Sequence, residues 1–195
     1  MKHFLIHPHC FYNPLTPIKS IKKYIFTLFI SIFSCTYLYS QINISSDKAL
    51  TDTILHSPQP YKLIYILCDY CQPSVERFPK VIEQVKCHKD IALFPICAQD
   101  SQEVVTYLEK YRLGTPVYLI NQNRKRKLID FYNPIKAVCK FLDRQLNIPT
   151  EKMGASDYCL LDKDNQVILR TNWEMQDDLY YGQLEEFLKQ TINKK

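Results

Sequence analysis

The stretch that decides the fold is Tyr61-Lys-Leu-Ile-Tyr-Ile-Leu67, followed directly by Cys68-Asp-Tyr-Cys71. The first seven residues are mostly apolar, aromatic or β-branched, which is typical of a buried β-strand. After Pro73, apolar residues recur at helical spacing over residues 75–85. The sequence therefore predicts a strand that runs through a Cys-x-x-Cys motif into a helix.

Strands and helices alternate along the chain beyond this point. Further strands are predicted over residues 91–97, 115–120 and 127–131, with a hairpin over residues 158–161 and 166–170. Further helices are predicted from Ser101, over residues 135–146, and over residues 184–192. This order predicts an α/β fold with helices on both faces of a mixed sheet. We expect residues 61–195 to form this domain, after a polar lead-in segment over residues 41–60.

Composition excludes several functional classes. The 195 residues include only three glycines, and none of them cluster. A phosphate-binding P-loop and a dinucleotide-binding turn both need clustered glycines, so nucleotide binding is excluded. Lysines in the first 40 residues account for most of the net charge of +5, and the rest of the chain is nearly neutral. We therefore expect no nucleic-acid partner, because such proteins carry a strong basic excess on the folded part.

Residues 1–40 are predicted to form a leader. A lysine-rich stretch over residues 19–23 precedes an uncharged apolar stretch over residues 24–39, and Ser40 follows. This is the pattern of a secretory signal peptide cleaved after Ser40. Two alternatives attach the domain to a membrane, namely lipidation at Cys35 or retention of the apolar stretch as an anchor. In each case we expect an exported protein, either periplasmic or membrane-anchored and facing outward.

The Cys-x-x-Cys motif carries the chemistry. Cys68 and Cys71 stand three residues apart at the predicted start of a helix, where they can close a disulfide. Unpaired amides and the helix dipole favour the thiolate of the first cysteine. Thiolate is the attacking species in disulfide exchange, and a second thiol then releases the mixed disulfide. The sequence thus predicts Cys68 as the nucleophile and Cys71 as the resolving thiol.

Two other uses of the pair remain open. Cys68 and Cys71 can form a static disulfide within a redox-inactive binding module, or ligate a metal in a metal-binding chaperone. Cys87 and His88 are the available further ligands, but a structural zinc site usually has a second pair at similar spacing. The other cysteines of the predicted domain stand among apolar residues and are expected to be small buried side chains: Cys97, Cys139 and Cys159.

The motif and the order of elements resemble the thioredoxin-like superfamily, particularly the exported thiol-disulfide oxidoreductases and redoxin-like proteins of bacteria. Residues 158–168 are similar to the late hairpin of that family, which ends a strand in an aspartate-rich turn. The resemblance implies a three-layer sandwich that exchanges or reduces disulfides in client proteins carrying thiols or disulfides. It implies a membrane or periplasmic redox partner, and we expect no cofactor and no metal.

The resemblance also implies a client-binding surface beside the cysteines. Family members place a cis-proline against the cysteine pair, and Thr115-Pro116 is the best match in this sequence. The position of the late hairpin assigns the same role to Ser156-Asp157 instead, so the two segments compete. Tyr70 is expected to be a surface ring that faces the client.

The dipeptide between the cysteines departs from the family pattern. Asp69-Tyr70 stands where reductants of the family commonly have Gly-Pro, and no tryptophan precedes Cys68. A carboxylate beside the nucleophile opposes thiolate formation. We therefore expect a slow or specialised redox site.

Overall fold

A computed structural model of the chain describes residues 42–111, 113–120 and 133–192. The predicted leader and the predicted strand over residues 127–131 lie outside the described residues. Within these three ranges, no helix combines the length and the apolar character needed to cross a membrane.

The described strands form one mixed sheet. They are β1 (Ile42–Ile44), β2 (Tyr61–Ile66), β3 (Ile91–Cys97), β4 (Val117–Leu119), β5 (Tyr158–Leu161) and β6 (Val167–Arg170). Their order across the sheet is β1-β4-β3-β2-β5-β6. The first four strands run parallel, while β5 pairs with β2 in the antiparallel direction and forms a hairpin with β6. Strand β2, which leads into the cysteine motif, is therefore one of the two central strands, with β3.

The described residues also form five helices, four of them between strands and the last after β6. They are α1 (Asp47–Leu55), α2 (Gln72–Val85), α3 (Ser101–Tyr111), α4 (Pro134–Leu146) and α5 (Asp177–Ile192). Polar side chains cap two of them, because Ser46 Oγ accepts the Ala49 N–H at 3.2 Å and Asn133 Oδ1 accepts the Lys136 N–H at 3.0 Å. Regular structure begins earlier than the sequence analysis expects, since β1 and α1 lie within the polar lead-in segment. A strand of three residues is too short to show a pattern.

The alternation of side chains along β2 builds a core on each face of the sheet. One cluster joins β2 to α2, α3 and α5 through Leu63, Tyr65, Phe78, Val104 and Tyr180. The other joins β2 to α1 and α4 through Ile64, Ile66, Leu50, Ile54 and Phe141. Successive residues of a strand point to opposite faces, so a continuous apolar run is buried on both sides. The predicted α/β sandwich with helices on both faces is confirmed.

Strand direction separates two edges of the sheet. β2 and β3 end where β5 begins, and we call this the cysteine edge, because Cys68 follows β2 there. The edge where β2 and β3 begin is called the opposite edge. Helix α2 starts at the cysteine edge and, at about 1.5 Å per residue, its 14 residues run about 21 Å from it.

Candidate redox site

A tight turn brings the two cysteines of the motif together. The Cys71 N–H donates to the Cys68 carbonyl oxygen at 3.3 Å, and Asp69 and Tyr70 occupy the middle of the turn. A β-turn of this kind holds its first and last Cα atoms within about 7 Å. Disulfides form across Cα separations of about 4.4–6.8 Å. The turn can therefore carry a Cys68–Cys71 disulfide.

Cys68 lies inside the protein, beneath this turn. Its exposed fraction is 1%, and its N–H donates to Ser74 Oγ at 3.0 Å. Burial raises the pKa of the Cys68 thiol, and a hydrogen bond with Tyr70 offsets part of that rise. The charges of Cys71 and Asp69 raise the same pKa further, which agrees with the expectation that a neighbouring carboxylate opposes ionisation.

Helix α2 begins after Cys71, so its start lies away from Cys68 and does not offset the effect of burial on the pKa of Cys68. The first helical residue is Gln72, and Cys71 is the N-cap in an extended conformation. The unpaired amides of a helix start lie in its first turn, so they lie beside Cys71 rather than Cys68. The expectation that the helix start favours the Cys68 thiolate is therefore wrong. Pro73, in the first turn of the helix, is typical of such a start.

A buried amide holds the turn from the side of β3. The Asp69 N–H donates to Gln99 Oε1 at 3.0 Å, and the Gln99 side-chain amide donates back to the Asp69 carboxylate. The same oxygen accepts the Cys97 thiol at 3.3 Å. Sequence reasoning missed Gln99, because its position beside the turn arises only when β3 pairs with β2.

The segment before β5 lies directly beside the strand that leads to Cys68. The Ser156 N–H donates to the Ile66 carbonyl oxygen at 2.9 Å, and the Ile66 N–H donates to the Asp157 carbonyl oxygen at 2.9 Å. Ser156 has a φ of 77°, in the left-handed region that non-glycine residues rarely adopt. Arg77 donates to Ser156 Oγ at 3.2 Å, and Tyr180 donates to its carbonyl oxygen. These contacts fix Ser156 in an unfavourable backbone conformation at the cysteine edge.

Asp157 is a buried carboxylate in the same segment. It accepts the Gly154 N–H at 2.6 Å and the Thr171 hydroxyl at 3.1 Å. Burial nevertheless raises the pKa of Asp157 to about 6, because the two hydrogen bonds and the charge of Arg77 only partly offset the lost solvation.

Thr115 and Pro116 are not brought to the cysteines. They line a cleft with Val85, His88 and Ile91, which are the last residue of α2, the turn after it and the first residue of β3. They therefore lie toward the opposite edge, because β4 is parallel to β3 and the residues before it lie upstream of the cysteine edge. The described residues contain no cis peptide bond. Of the two competing segments, Ser156-Asp157 is the one beside the cysteine turn.

The arrangement of these elements decides the fold family. A Cys-x-x-Cys motif follows β2, a central parallel strand, and precedes α2, and the antiparallel hairpin β5–β6 with α5 closes the sheet. The fold is thioredoxin-like.

Several solved structures align with about two thirds of the chain at low identity. StoA from Bacillus subtilis is 14% identical with a TM-score of 0.45, covering 68% of this chain and 85% of that one. A thiol-disulfide oxidoreductase from Bacteroides fragilis is 17% identical with a TM-score of 0.43, covering 65% and 80%. A thiol:disulfide interchange protein of the thioredoxin family from Chlorobium tepidum is 10% identical with a TM-score of 0.45, covering 65% and 78%. No family model and no curated protein sequence matches the chain.

The remaining cysteines of the thioredoxin-like domain differ in exposure. Cys97 and Cys159 are buried as expected, Cys139 is half-buried, and Cys87 is exposed. Burial raises the pKa of the Cys139 thiol to about 11 and that of Cys159 to about 12. In the part of the chain that the structure describes, no group of three or more His, Cys, Asp or Glu side chains is arranged to hold a metal ion.

Tyr70 lies at the outer side of the cysteine turn. Its side chain is 65% exposed, although its hydroxyl is hydrogen-bonded to Cys68. Partial burial of the hydroxyl and the neighbouring Cys68 raise the pKa of Tyr70, so the phenol is protonated at neutral pH. The ring is thus mostly open to solvent next to the cysteine turn.

Proposed function

We propose that the chain is a thiol-disulfide oxidoreductase that exchanges or reduces disulfides in client proteins through Cys68 and Cys71. The observation that carries this proposal is the turn that joins the two cysteines, with Cys71 only half-buried. One cysteine attacks the client disulfide and forms a mixed disulfide, and the other displaces the client. The client gains two electrons and two protons, while the pair becomes a disulfide. A dithiol of a partner protein then reduces the pair again.

Tyr70 is the residue that we propose faces the client. Its exposed ring stands next to both cysteines, so an approaching polypeptide meets it first. An aromatic ring offers a large apolar contact without requiring a particular client sequence. Thr115 and Pro116 are left out of this role because they lie toward the opposite edge.

The location and the domain organisation rest on the sequence. The basic and apolar pattern of residues 1–40 supports export, with cleavage, lipidation or anchoring as alternatives. We propose that residues 61–195 act outside the cytosol, where client thiols are oxidised and a membrane or periplasmic partner supplies electrons. Expressing the full chain in a bacterium and sequencing the amino terminus of the secreted product tests this. Retention of unprocessed chain in the cytosol would contradict it.

Reduction of insulin by dithiothreitol tests the function itself. We expect the wild-type protein to accelerate the reaction and the Cys68→Ser/Cys71→Ser double variant to lose at least 90% of that acceleration. Cys97→Ser is the matched control, because it removes a neighbouring buried thiol and keeps a donor for Gln99. Equal activity in wild type and double variant would instead favour a redox-inactive binding module.

A further inference from the structure

We propose that Cys71, and not Cys68, is the sulfur that attacks the client disulfide, and that Cys68 resolves the mixed disulfide. This order is the reverse of the one that the motif predicts, and it rests on the proposed function. It assigns Cys71 as the catalytic nucleophile and Cys68 as the residue that regenerates it.

The two cysteines differ in how accessible they are to a client. Cys68 is 1% exposed, whereas Cys71 is half-buried. Disulfide exchange requires the attacking sulfur to approach the client sulfur in line, so the rate depends on access. A client disulfide can therefore approach the partly exposed Cys71 in the fold as it stands, whereas Cys68 must first become exposed.

The two cysteines also differ in their position relative to the start of α2. Cys71 is its N-cap, and its side chain makes no capping hydrogen bond. Cys68 lies three residues before the helix cap, and its own N–H is already donated to Ser74. A cysteine at a helix start lies beside unpaired N–H groups, which stabilise developing negative charge. Among the two cysteines, only Cys71 has this position.

The identity of residue 74 explains why the resolving thiol must be Cys68, which precedes the helix. Ser74 lies in the first turn, three residues after Cys71, and it is fully buried. This is where the second cysteine of a Cys-x-x-Cys motif would lie if the first were the N-cap. A hydroxyl cannot form a disulfide, so Ser74 cannot resolve a mixed disulfide on Cys71. Cys68, on the other side of the turn, is the thiol within reach.

The reaction balances with these two thiols. The Cys71 thiolate attacks one client sulfur, the bond between Cys71 and that sulfur forms, and the other client sulfur leaves and takes a proton from water. Cys68 then loses its proton to water and attacks Cys71, and the first client sulfur leaves and is protonated in turn. The raised pKa of Cys68 leaves less of it as thiolate, and the intramolecular geometry of the second step compensates for that loss.

The ionisable groups around Cys68 lie on two elements. Asp69, Tyr70 and Cys71 face it from the turn, and Cys97 faces it from β3. These four groups influence the pKa of Cys68 whichever sulfur attacks first, so a pH profile does not distinguish the two orders. The tests below therefore compare the reactivity of the two sulfurs directly.

Alkylation of the unmodified protein measures the order of access. The reduced wild-type protein is treated with iodoacetamide at pH 8, and the modified peptides are quantified by mass spectrometry over time. We expect Cys71 to react at least tenfold faster than Cys68. A faster reaction at Cys68, or equal rates, would overturn the proposed order.

Trapping with single variants tests the same order during exchange. Native insulin, with its disulfides intact, is mixed with the reduced Cys68→Ser or Cys71→Ser variant. Mixed disulfides are mapped after acid quenching. We expect Cys68→Ser to accumulate a mixed disulfide on Cys71 at least tenfold faster than Cys71→Ser accumulates one on Cys68. Faster trapping by Cys71→Ser would overturn the order and leave the proposed function standing. Trapping by neither variant would overturn both.

A gain of function at Ser74 gives an independent test. In the Cys68→Ser background, Ser74→Cys supplies a thiol in the first turn of α2, three residues after Cys71. We expect this change to lower the trapped mixed disulfide at least tenfold and to give a disulfide between positions 71 and 74. Ser74→Ala in the same background is the control and should leave the trap in place. Persistence of the trap in the Ser74→Cys variant would contradict the assigned geometry.

Discussion

The two edges of the sheet differ in how their polar groups are held. At the cysteine edge, Arg77 of α2 contacts Ser156, Asp177 and the ring of Tyr180, and most of these groups are buried. At the opposite edge, Lys86 follows the same helix and pairs only with the exposed Glu83. Arg77 and Lys86 thus place a positive charge near each edge, but only Arg77 is held by several hydrogen-bonding and ring contacts. A buried hydrogen-bond network of this kind rigidifies the part of the structure that it joins.

Strand direction, and not sequence spacing, decides which residues belong to the cysteine edge. Thr115-Pro116 and Ser156-Asp157 both precede a strand, and the sequence offers both as neighbours of the cysteine pair. β4 runs parallel to β2, while β5 runs antiparallel to it. The residues before β5 therefore lie beside the cysteines, and those before β4 do not.

The largest effect on stability is expected from Arg77→Met. Arg77 is 15% exposed, donates to Ser156 and Asp177, and lies 4.4 Å from the centre of the Tyr180 ring. Loss of a charged hydrogen bond and a partly buried cation–π contact should lower the free energy of unfolding by about 3 kcal/mol. Urea unfolding of the reduced protein measures it.

Lys86→Met at the other end of α2 is the matched control. Both groups of its ion pair are exposed, so the expected change is less than about 0.5 kcal/mol. Equal losses in the two variants would contradict the contrast between the edges.

The next largest effect is the pH dependence of stability that Asp157 causes. Its pKa is about 6 in the folded protein, above the ordinary value of 3.8, so the folded state binds a proton more tightly than the unfolded state. Stability should therefore fall as pH rises from 4 to 6, by on the order of 2 kcal/mol from this group. Asp157→Asn should flatten that part of the curve relative to wild type. Parallel curves for the two proteins would count against the assignment.

A smaller effect is expected from Gln99→Ala. The substitution leaves the Asp69 N–H and the Cys97 thiol without their acceptor, which should cost about 1–2 kcal/mol in the free energy of unfolding. Gln59→Ala is the control toward the opposite edge. Gln59 Oε1 accepts a hydrogen bond from the Ser57 hydroxyl, which can donate to water instead when the amide is removed. Denaturant unfolding of both variants tests the difference. A smaller loss for Gln99→Ala than for the control would show that this amide does not hold the turn.

The smallest effect is expected from Pro116→Ala. Pro116 lines the cleft toward the opposite edge, so the alkylation rates of Cys68 and Cys71 should stay within about twofold of wild type, well under 1 kcal/mol of activation free energy. The iodoacetamide time course described above measures both rates. A tenfold change at either cysteine would mean that Pro116 influences the redox site after all.

Much of the fold could be predicted from the sequence. The apolar run ending before Cys68 gave β2, residues 91–97 are β3 as predicted, and α3 begins at Ser101. These elements are long or strongly patterned, so local sequence decides them. β1 could not be predicted, because its three residues gain their structure only by pairing with β4.

Less of the redox site could be predicted. The motif identified Cys68 and Cys71 and placed both at the start of a helix, but only Cys71 is the N-cap of that helix. Gln99 carries no local signal at all, since it meets Asp69 only when β3 lies beside β2. Contacts between neighbouring strands depend on tertiary structure, and local patterns in a single sequence do not reveal them.

Redox titration of the cysteine pair tests the central claim most directly. The protein is equilibrated in mixtures of reduced and oxidised dithiothreitol or glutathione, quenched with acid, and its disulfides are mapped by mass spectrometry. We expect one reversible two-electron transition in which only the Cys68–Cys71 disulfide forms. A pair that stays reduced across all mixtures, or a disulfide that involves other cysteines instead, would contradict it.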